Sequence, residues 1–241
     1  MNLVIDIGNS KIKVAVFELD RIIITTICEE FNFLQELKRI LNEYAITRSI
    51  VSSVKGIKDE YLEEFKKLPL LHTLNTTTKL PFKNLYTTPL TLGNDRIALA
   101  AAAVCSYPSK NSLVIDAGTC ITYDFINSKN EYLGGAISPG IDMRYKSLHQ
   151  YTEKLPLLSK NEEFNRVGAS TSGSIHSGII NGIICEIEGV IAQYEQDFGD
   201  LTIVLTGGDT KFLSKQLKNS IFANQNFLLK GLNKILTFNN Q

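Results

Sequence analysis

A chain of 241 residues, 44% apolar and 21% charged, has room for an ample core, as one large domain or two of about 110–130 residues. Its 25 basic and 25 acidic residues cancel, which argues against nucleic acid or an anionic membrane as main partner, since either favours a basic surface. Cys28, Cys105, Cys120 and Cys185 show no CxxC or Cys/His ligand spacing, and three lie in apolar runs, so disulfides are not expected. The first strand starts almost at Met1, and no apolar run approaches membrane-spanning length, so a cytoplasmic chain is expected.

Leu3–Asp6, Lys11–Glu18 and Arg21–Cys28 read as three strands joined by turns at Gly8-Asn9 and Leu19-Asp20. In the second, Ile12, Val14 and Val16 alternate with Lys11, Lys13 and Ala15, the period of a half-buried strand. The spacing of Phe33, Leu34, Leu37, Ile40, Leu41 and Tyr44 predicts an amphipathic helix over 33–45. Ser49–Val54 suits a buried parallel strand, Lys58–Lys67 a charged surface helix and Leu70–Leu74 a further strand. Asn75–Thr91 has neither periodicity, and a loop of that length is expected to cross into a functional site. Arg96–Cys105 is an Ala-rich helix, and Pro108 breaks the pattern that ends the first half.

The opening stretch then recurs: LVIDIG at 3–8 becomes LVIDAG at 113–118. Each copy is followed by small polar residues and by two more β-rich runs, Ile12–Phe17 and Ile22–Ile27 in the first, Ile121–Ile126 and Tyr132–Ser138 in the second. A repeat this long is a duplicated domain rather than a solenoid unit. It predicts two halves, 1–110 and 111–241, each opened by an antiparallel meander and together making a cleft for one ligand. A helix from Pro139 to about Tyr151, a long helix over Ile175–Gln196, a buried strand at Leu201–Leu205 and a closing helix at Asn226–Leu236 complete the second half. Gly178, Gly182 and Gly189 cost the long helix about 1 kcal/mol each, which points to another helix packed against them, across the domain pair or across a dimer.

Three motifs carry candidate chemistry. The turn Gly8-Asn9-Ser10 can aim backbone N–H groups at a phosphate, with Lys13 adding a compact positive charge and Asp6 able to hold Mg²⁺. The alternative, that each acid only caps its turn, does not require the same acid in both halves. Asp95-Arg96 opens a helix, where it is either an N-terminal cap beside a solvated arginine or a base beside a clamp. In the second reading Asp95 takes a proton from a substrate hydroxyl and Arg96 grips a substrate carboxylate. The TGGDT turn, Thr206–Thr210, has glycines that let backbone approach a flat ligand such as a purine. His72, His149 and His176 share no pattern with other candidate ligands, and Ser10 and Cys120 have no neighbouring histidine that would make them nucleophiles.

Taken together these stretches resemble the type III pantothenate kinases of the acetate/sugar kinase, Hsp70 and actin superfamily. DIGNSKIK at Asp6–Lys13 is similar to that family's DxGN[ST]xxK, and YTTPLTLGNDR at Tyr86–Arg96 to its YxxPxxLGxDR. VIDAGTCIT at Val114–Thr122 resembles the second acidic turn, and YLGGAISPGIDM at Tyr132–Met143 the GGxIxPG segment. The departures are Ser10 for the commoner Thr, Cys120 for Ala, and Ser170-Thr171 where Asn-Thr is common.

The resemblance implies two duplicated RNase H-like α/β domains with mixed sheets and a nucleotide cleft between them. It implies that Asp6, Ile7, Gly8, Asn9, Ser10, Lys11, Ile12 and Lys13 bind ATP phosphates, with Thr119 also on ATP and Asp116 helping to hold K⁺ or NH₄⁺. Tyr86, Gly93, Asn94, Asp95 and Arg96 would bind pantothenate, Asp95 accepting the proton, and Thr171 would touch the same substrate. A homodimer is implied too. The expected reaction is ATP-dependent phosphorylation of pantothenate. Its rivals are a kinase for another small anionic substrate and a non-catalytic ATP-binding protein of the same fold. In the repeat, Asn9, Ser10 and Lys13 match Thr119, Cys120 and Tyr123, so the second turn lacks a lysine and its acid suits a monovalent cation.

Overall fold

The computed structural model describes residues 1–161 and 163–240. In chain order the first elements are strands β1 (Asn2–Ile7), β2 (Ile12–Glu18) and β3 (Arg21–Cys28), helix α1 (Phe33–Glu43), β4 (Arg48–Ser53), α2 (Asp59–Phe65), β5 (Leu71–Thr73), β6 (Lys83–Asn84) and α3 (Asn94–Ser106). There follow β7 (Asn111–Ala117), β8 (Cys120–Ile126), β9 (Glu131–Pro139), α4 (Ile141–Gln150), α5 (Thr171–Phe198), β10 (Leu201–Thr206), α6 (Thr210–Leu213), β11 (Phe222–Ala223) and α7 (Phe227–Phe238). Contacts divide them into two units. The first holds Met1–Ser109, Lys129–Leu133 and Asn226–Gln241, the second Lys110–Ser128 and Gly134–Gln225.

In the first unit the sheet runs β3-β2-β1-β4-β5, with β1 antiparallel to β2 and parallel to β4, and β4 parallel to β5. Leu3, Ile5, Ile7, Ile12, Val14 and Val16 point to one face and bury Phe33, Leu37 and Ile40 of α1 with Tyr61 and Phe65 of α2. Phe33 meets Tyr61 edge to face, centroids 4.9 Å apart. The other face is covered by α7, which packs on β1, β2 and β4 and pairs closely with α3. Strand β2 is therefore not half-exposed as its alternation predicts: Ala15 and Phe17 are as buried as Val14 and Val16.

Helix α7 departs from the expected halves, for it groups with the first unit and not with residues 111–225. Its apolar face has Leu228, Leu229, Leu232, Ile235 and Leu236 to bury, and the first sheet's bare face is what buries them. A β-carbon on Gly231 would run into the Ala98 carbonyl of α3, so only glycine lets the two helix backbones come this close. Asn233, buried beside it, donates to Leu19 O (2.8 Å) and accepts from Asn2 Nδ2 (2.9 Å), tying the last helix to the first strand and its hairpin.

The second unit repeats the plan. Its sheet runs β9-β8-β7-β10-β11, with β6 added as a sixth strand beyond β9; β7 is antiparallel to β8 and parallel to β10, and β10 is parallel to β11. Leu113, Ile115, Ile121, Tyr123 and Phe125 pack against Ile141 and Tyr145 of α4 and the isoleucine stripe 175, 179, 180, 183, 187 and 191 of α5. At 28 residues α5 is long and apolar enough by length and composition to cross a membrane, contrary to expectation; here its isoleucine stripe is core. Gly178, Gly182 and Gly189 lie on its exposed side, and a β-carbon on any of them meets nothing within 4 Å. No neighbour among the described residues accounts for them. Cys105 and Cys185 are likewise exposed despite their apolar runs, while Cys28 is buried.

Gly231→Ala should lower the free energy of unfolding by about 1–3 kcal/mol, the usual cost of forcing extra volume into a packed contact. Gly178→Ala, where there is space, should leave it unchanged or raise it by up to about 1 kcal/mol. Urea unfolding of both variants checks the pair; equal effects would mean that α3 and α7 are not in close contact.

Candidate active site

The first acidic turn stands at the end of β1. Gly8 N–H is spent inside the turn on Lys11 O (3.0 Å), while Asn9 and Ser10 project into solvent. Register places Lys13 directly across from Asp6 on β2, and Ser52 across from it on β4. Opposed residues share a sheet face. Asp6 is 5% exposed, and neither its Oδ1 nor Ser52 Oγ has a hydrogen-bond partner among the described residues. Burial pushes the Asp6 carboxyl up to about 6; Lys13 and, more weakly, the neighbouring Ser52 hydroxyl oppose that rise and Asp95 adds to it. A buried carboxylate oxygen with no donor, near a second acid, is a fitting ligand for a hard cation, and Mg²⁺ needs only one or two carboxylates beside phosphate and water.

Asp95 reaches this neighbourhood from the first turn of α3. Gly93 is the N-cap residue, and Asp95 Oδ1 accepts the Arg96 N–H (2.8 Å), folding the carboxylate back over the helix N-terminus. Asn94 donates its side-chain amide to Ser53 O (3.1 Å) and Leu74 O (3.3 Å), fastening the loop to the ends of β4 and β5. A substrate contact from Asn94 would thus fall to its backbone. Arg96 is 5% exposed and its guanidinium lies 5.6 Å from the Tyr86 ring and 5.9 Å from the Tyr132 ring. The Asn75–Thr91 stretch is less structureless than expected: β6 pairs with Glu131 and Tyr132, and Thr78, bonded to His72, closes a turn on Asn75.

In the second unit the acidic turn is one residue shorter. Ile7 pairs with Ile12, but Ala117 pairs with Ile121, so Asp116 faces Thr122. The matching of Lys13 to Tyr123 is thereby corrected: Tyr123 sits opposite Ile115 and points into the core, donating to Glu186 Oε1 (2.9 Å). The absence of a lysine opposite Asp116 stands. TGGDT closes over this turn, with Asp209 N–H on Ala117 O (3.0 Å). Gly207, at φ +96°, would drive a β-carbon into Asp116 Oδ1 and Ala117 O, so its glycine serves that packing, while Gly208 is the one facing open space. Thr119 is exposed, its carbonyl accepting Gly140 N–H (3.2 Å).

Asp6, Lys13 and Asp95 are thus gathered in the first unit, as are Tyr86 and Arg96. Asp116, Thr119 and the TGGDT turn are gathered in the second. Thr171 opens α5 in that unit, exposed, next to the Ser170 cap whose Oγ accepts Gly173 N–H (3.1 Å). Two participants escaped sequence reasoning. Ser52 carried a signal, a hydroxyl inside a buried β-branched run. Tyr132 carried none, because its contact with Arg96 depends on β6 pairing with β9.

A sequence profile described as type III pantothenate kinase matches residues 2–193. A type III pantothenate kinase of Christiangramia forsetii is 52% identical over 240 residues, 99% of each chain. Among solved structures, a Campylobacter jejuni protein described as a Baf family transcriptional activator is 23% identical, with TM-score 0.65 over 99% of this chain and 98% of that one. The activator of 2-hydroxyisocaproyl-CoA dehydratase from Clostridium difficile, with bound ADPNP, is 10% identical, with TM-score 0.52 over 99% and 93%. At those identities the two structures speak for the fold alone.

The Asp6 carboxyl, raised above its ordinary 3.8, favours the folded chain when protonated, and that contribution is lost as pH climbs through about 6. The unfolding free energy of the wild type minus that of Asp6→Asn, without nucleotide or Mg²⁺, should fall by about 2–3 kcal/mol between about pH 4 and about pH 7. A flat difference in urea unfolding would mean that the carboxylate is solvated.

Proposed function

This chain belongs to the type III pantothenate kinases, and we propose that its acidic turn and substrate loop carry the family's reaction. That reaction is transfer of the ATP γ-phosphoryl group to the primary hydroxyl of pantothenate, the first committed step towards coenzyme A. The observation that supports this assignment best is the convergence of Asp6, Lys13 and Asp95 on one end of the first sheet.

In this reading Asp6–Lys13 cradle the phosphates. Lys13 supplies charge directly across the sheet from Asp6, which holds Mg²⁺; bound there, the ion neutralises charge on the phosphate oxygens. Asp95 has one oxygen engaged by Arg96 N–H, and the other accepts the hydroxyl proton. An ionised aspartate is a weak base, but a loose phosphoryl-transfer transition state asks little of it before the new bond forms. Arg96 takes the pantothenate carboxylate, its plane held by Tyr86 and Tyr132, and Gly93, Asn94 and Thr171 complete the substrate contacts. Thr119 meets ATP. Asp116, beside the Ala117 carbonyl and with Thr122 rather than lysine opposite, holds K⁺ or NH₄⁺. The enzyme works in the cytoplasm as a homodimer, the exposed glycine side of α5 being the surface left over for a second copy.

A coupled assay of ADP release, with and without pantothenate, tests the reaction itself. Asp95→Asn should cut kcat by about 10²–10⁴ while ATP still binds, the usual contribution of a positioned acid or base. Near-normal turnover would remove Asp95 from that role.

Titrating KCl into a K⁺-free assay, with choline chloride holding ionic strength constant, should restore activity that Na⁺ supports poorly. Asp116→Asn should weaken this dependence, whereas Asp6→Asn should abolish turnover at any cation concentration. Full activity without K⁺ or NH₄⁺ would withdraw the cation from Asp116 and leave the kinase standing.

A further inference from the structure

The strand order β3-β2-β1-β4 puts the β1–β2 turn between the ends of two other strands. On one side, Cys28 at the end of β3 pairs with Ile12, so Glu29 and Glu30 emerge next to the turn. On the other, Ser53 at the end of β4 pairs with Ile7, Val54 N–H donates to Ile7 O (3.2 Å), and Lys55 emerges next. Lys55 forms an ion pair with Glu30, so the two side chains bridge the turn from opposite flanks. The same ammonium is 3.4 Å from Asn9 O, inside the turn. Lys58 holds the second oxygen of Glu30 (2.6 Å), and Lys11 pairs with Glu29. Two ammonium groups hold the Glu30 carboxyl far below the usual carboxylate range.

We propose that Lys55 is a nucleotide-phosphate ligand held in reserve by Glu30, exchanging that carboxylate for an ATP phosphate oxygen when nucleotide enters the turn. The inference rests on ATP binding at Asp6–Lys13 and adds a residue from outside that motif. Three features carry it. The ammonium already touches the turn that would hold the phosphates, and it lies at the carboxyl ends of parallel strands, where open α/β sheets take their ligands. Its departure also leaves Glu30 compensated, because Lys58 remains on the other oxygen. Both partners are partly exposed, with side chains 32% and 36% accessible, so the pair is weak enough to be displaced by a multiply charged phosphate.

The test compares ATP with AMP on the full chain by titration calorimetry, alongside steady-state kinetics. Lys55→Met should weaken ATP binding and raise KM for ATP by about ten-fold, the worth of one hydrogen bond to a charged group. Affinity for AMP and KM for pantothenate should not change, and Lys55→Arg should recover most of the loss. Glu30→Gln should act in the opposite direction, tightening ATP by about two- to five-fold because an exposed competing ion pair is gone. A merely structural bridge would make Glu30→Gln and Lys55→Met weaken ATP alike, and that result would overturn the proposal. So would unchanged ATP affinity in Lys55→Met. A wild type that binds ATP yet phosphorylates no pantothenate would sink the kinase reading instead, while the calorimetric comparison would still decide Lys55.

Discussion

Taking the Asp6 carboxylate out of water is the constraint around which the end of β1 is built. The cost of burial falls on the charged form, and the surroundings only partly offset it: Lys13 and the Ser52 hydroxyl favour the carboxylate, Asp95 repels it, and among the described residues no well-formed hydrogen bond reaches Oδ1. A fold concerned only with stability would place an apolar residue or a donor there. Three strands instead bring Asp6, Lys13 and Ser52 onto one face, and α3 adds Asp95. Burial of an acid that its surroundings compensate only in part marks the end of β1 as a candidate functional site.

That burial depends on a helix from the far end of the chain. With α1 and α2 on one face, the first sheet would leave Val4, Ala15, Phe17 and Ile50 exposed on the other; α7 and α3 cover it and all four are buried. Gly231 against Ala98 allows the helices to sit closely enough, and Asn233 satisfies the hairpin carbonyl of Leu19. The catalytic reading of the first unit therefore rests on residues more than two hundred positions from Asp6.

The duplicated plan also shows how equivalent turns diverge. The order β3-β2-β1-β4-β5 of the first sheet recurs as β9-β8-β7-β10-β11 in the second, which adds β6 beyond β9, and both carry an acid on the central strand. One residue fewer in the second turn moves Tyr123 onto the core face and brings Thr122 opposite Asp116. Because side chains alternate with period two, a single deletion suffices to exchange a polar position for an apolar one. A lysine-backed acidic turn and a lysine-free one thus arise from a common frame.

Local pattern made much of this legible. The repeated LVID-x-G, the alternation in β2 and the 3.6-residue stripes of α1 and α5 depend on neighbours a few positions away, so the strands, helices, duplication and motif residues could be read directly. Long-range pairing was not legible. Nothing near Phe227 says which sheet α7 will cover, nothing near Tyr132 says that Arg96 will lie against its ring, and Lys55 looks like any surface lysine until β4 is laid beside β1. By itself the sequence determined the elements, their repetition and the chemical groups available. The tertiary structure decided which of those groups face one another, because register, sheet order and the closing helix are settled by burial summed over the whole chain rather than by any one stretch.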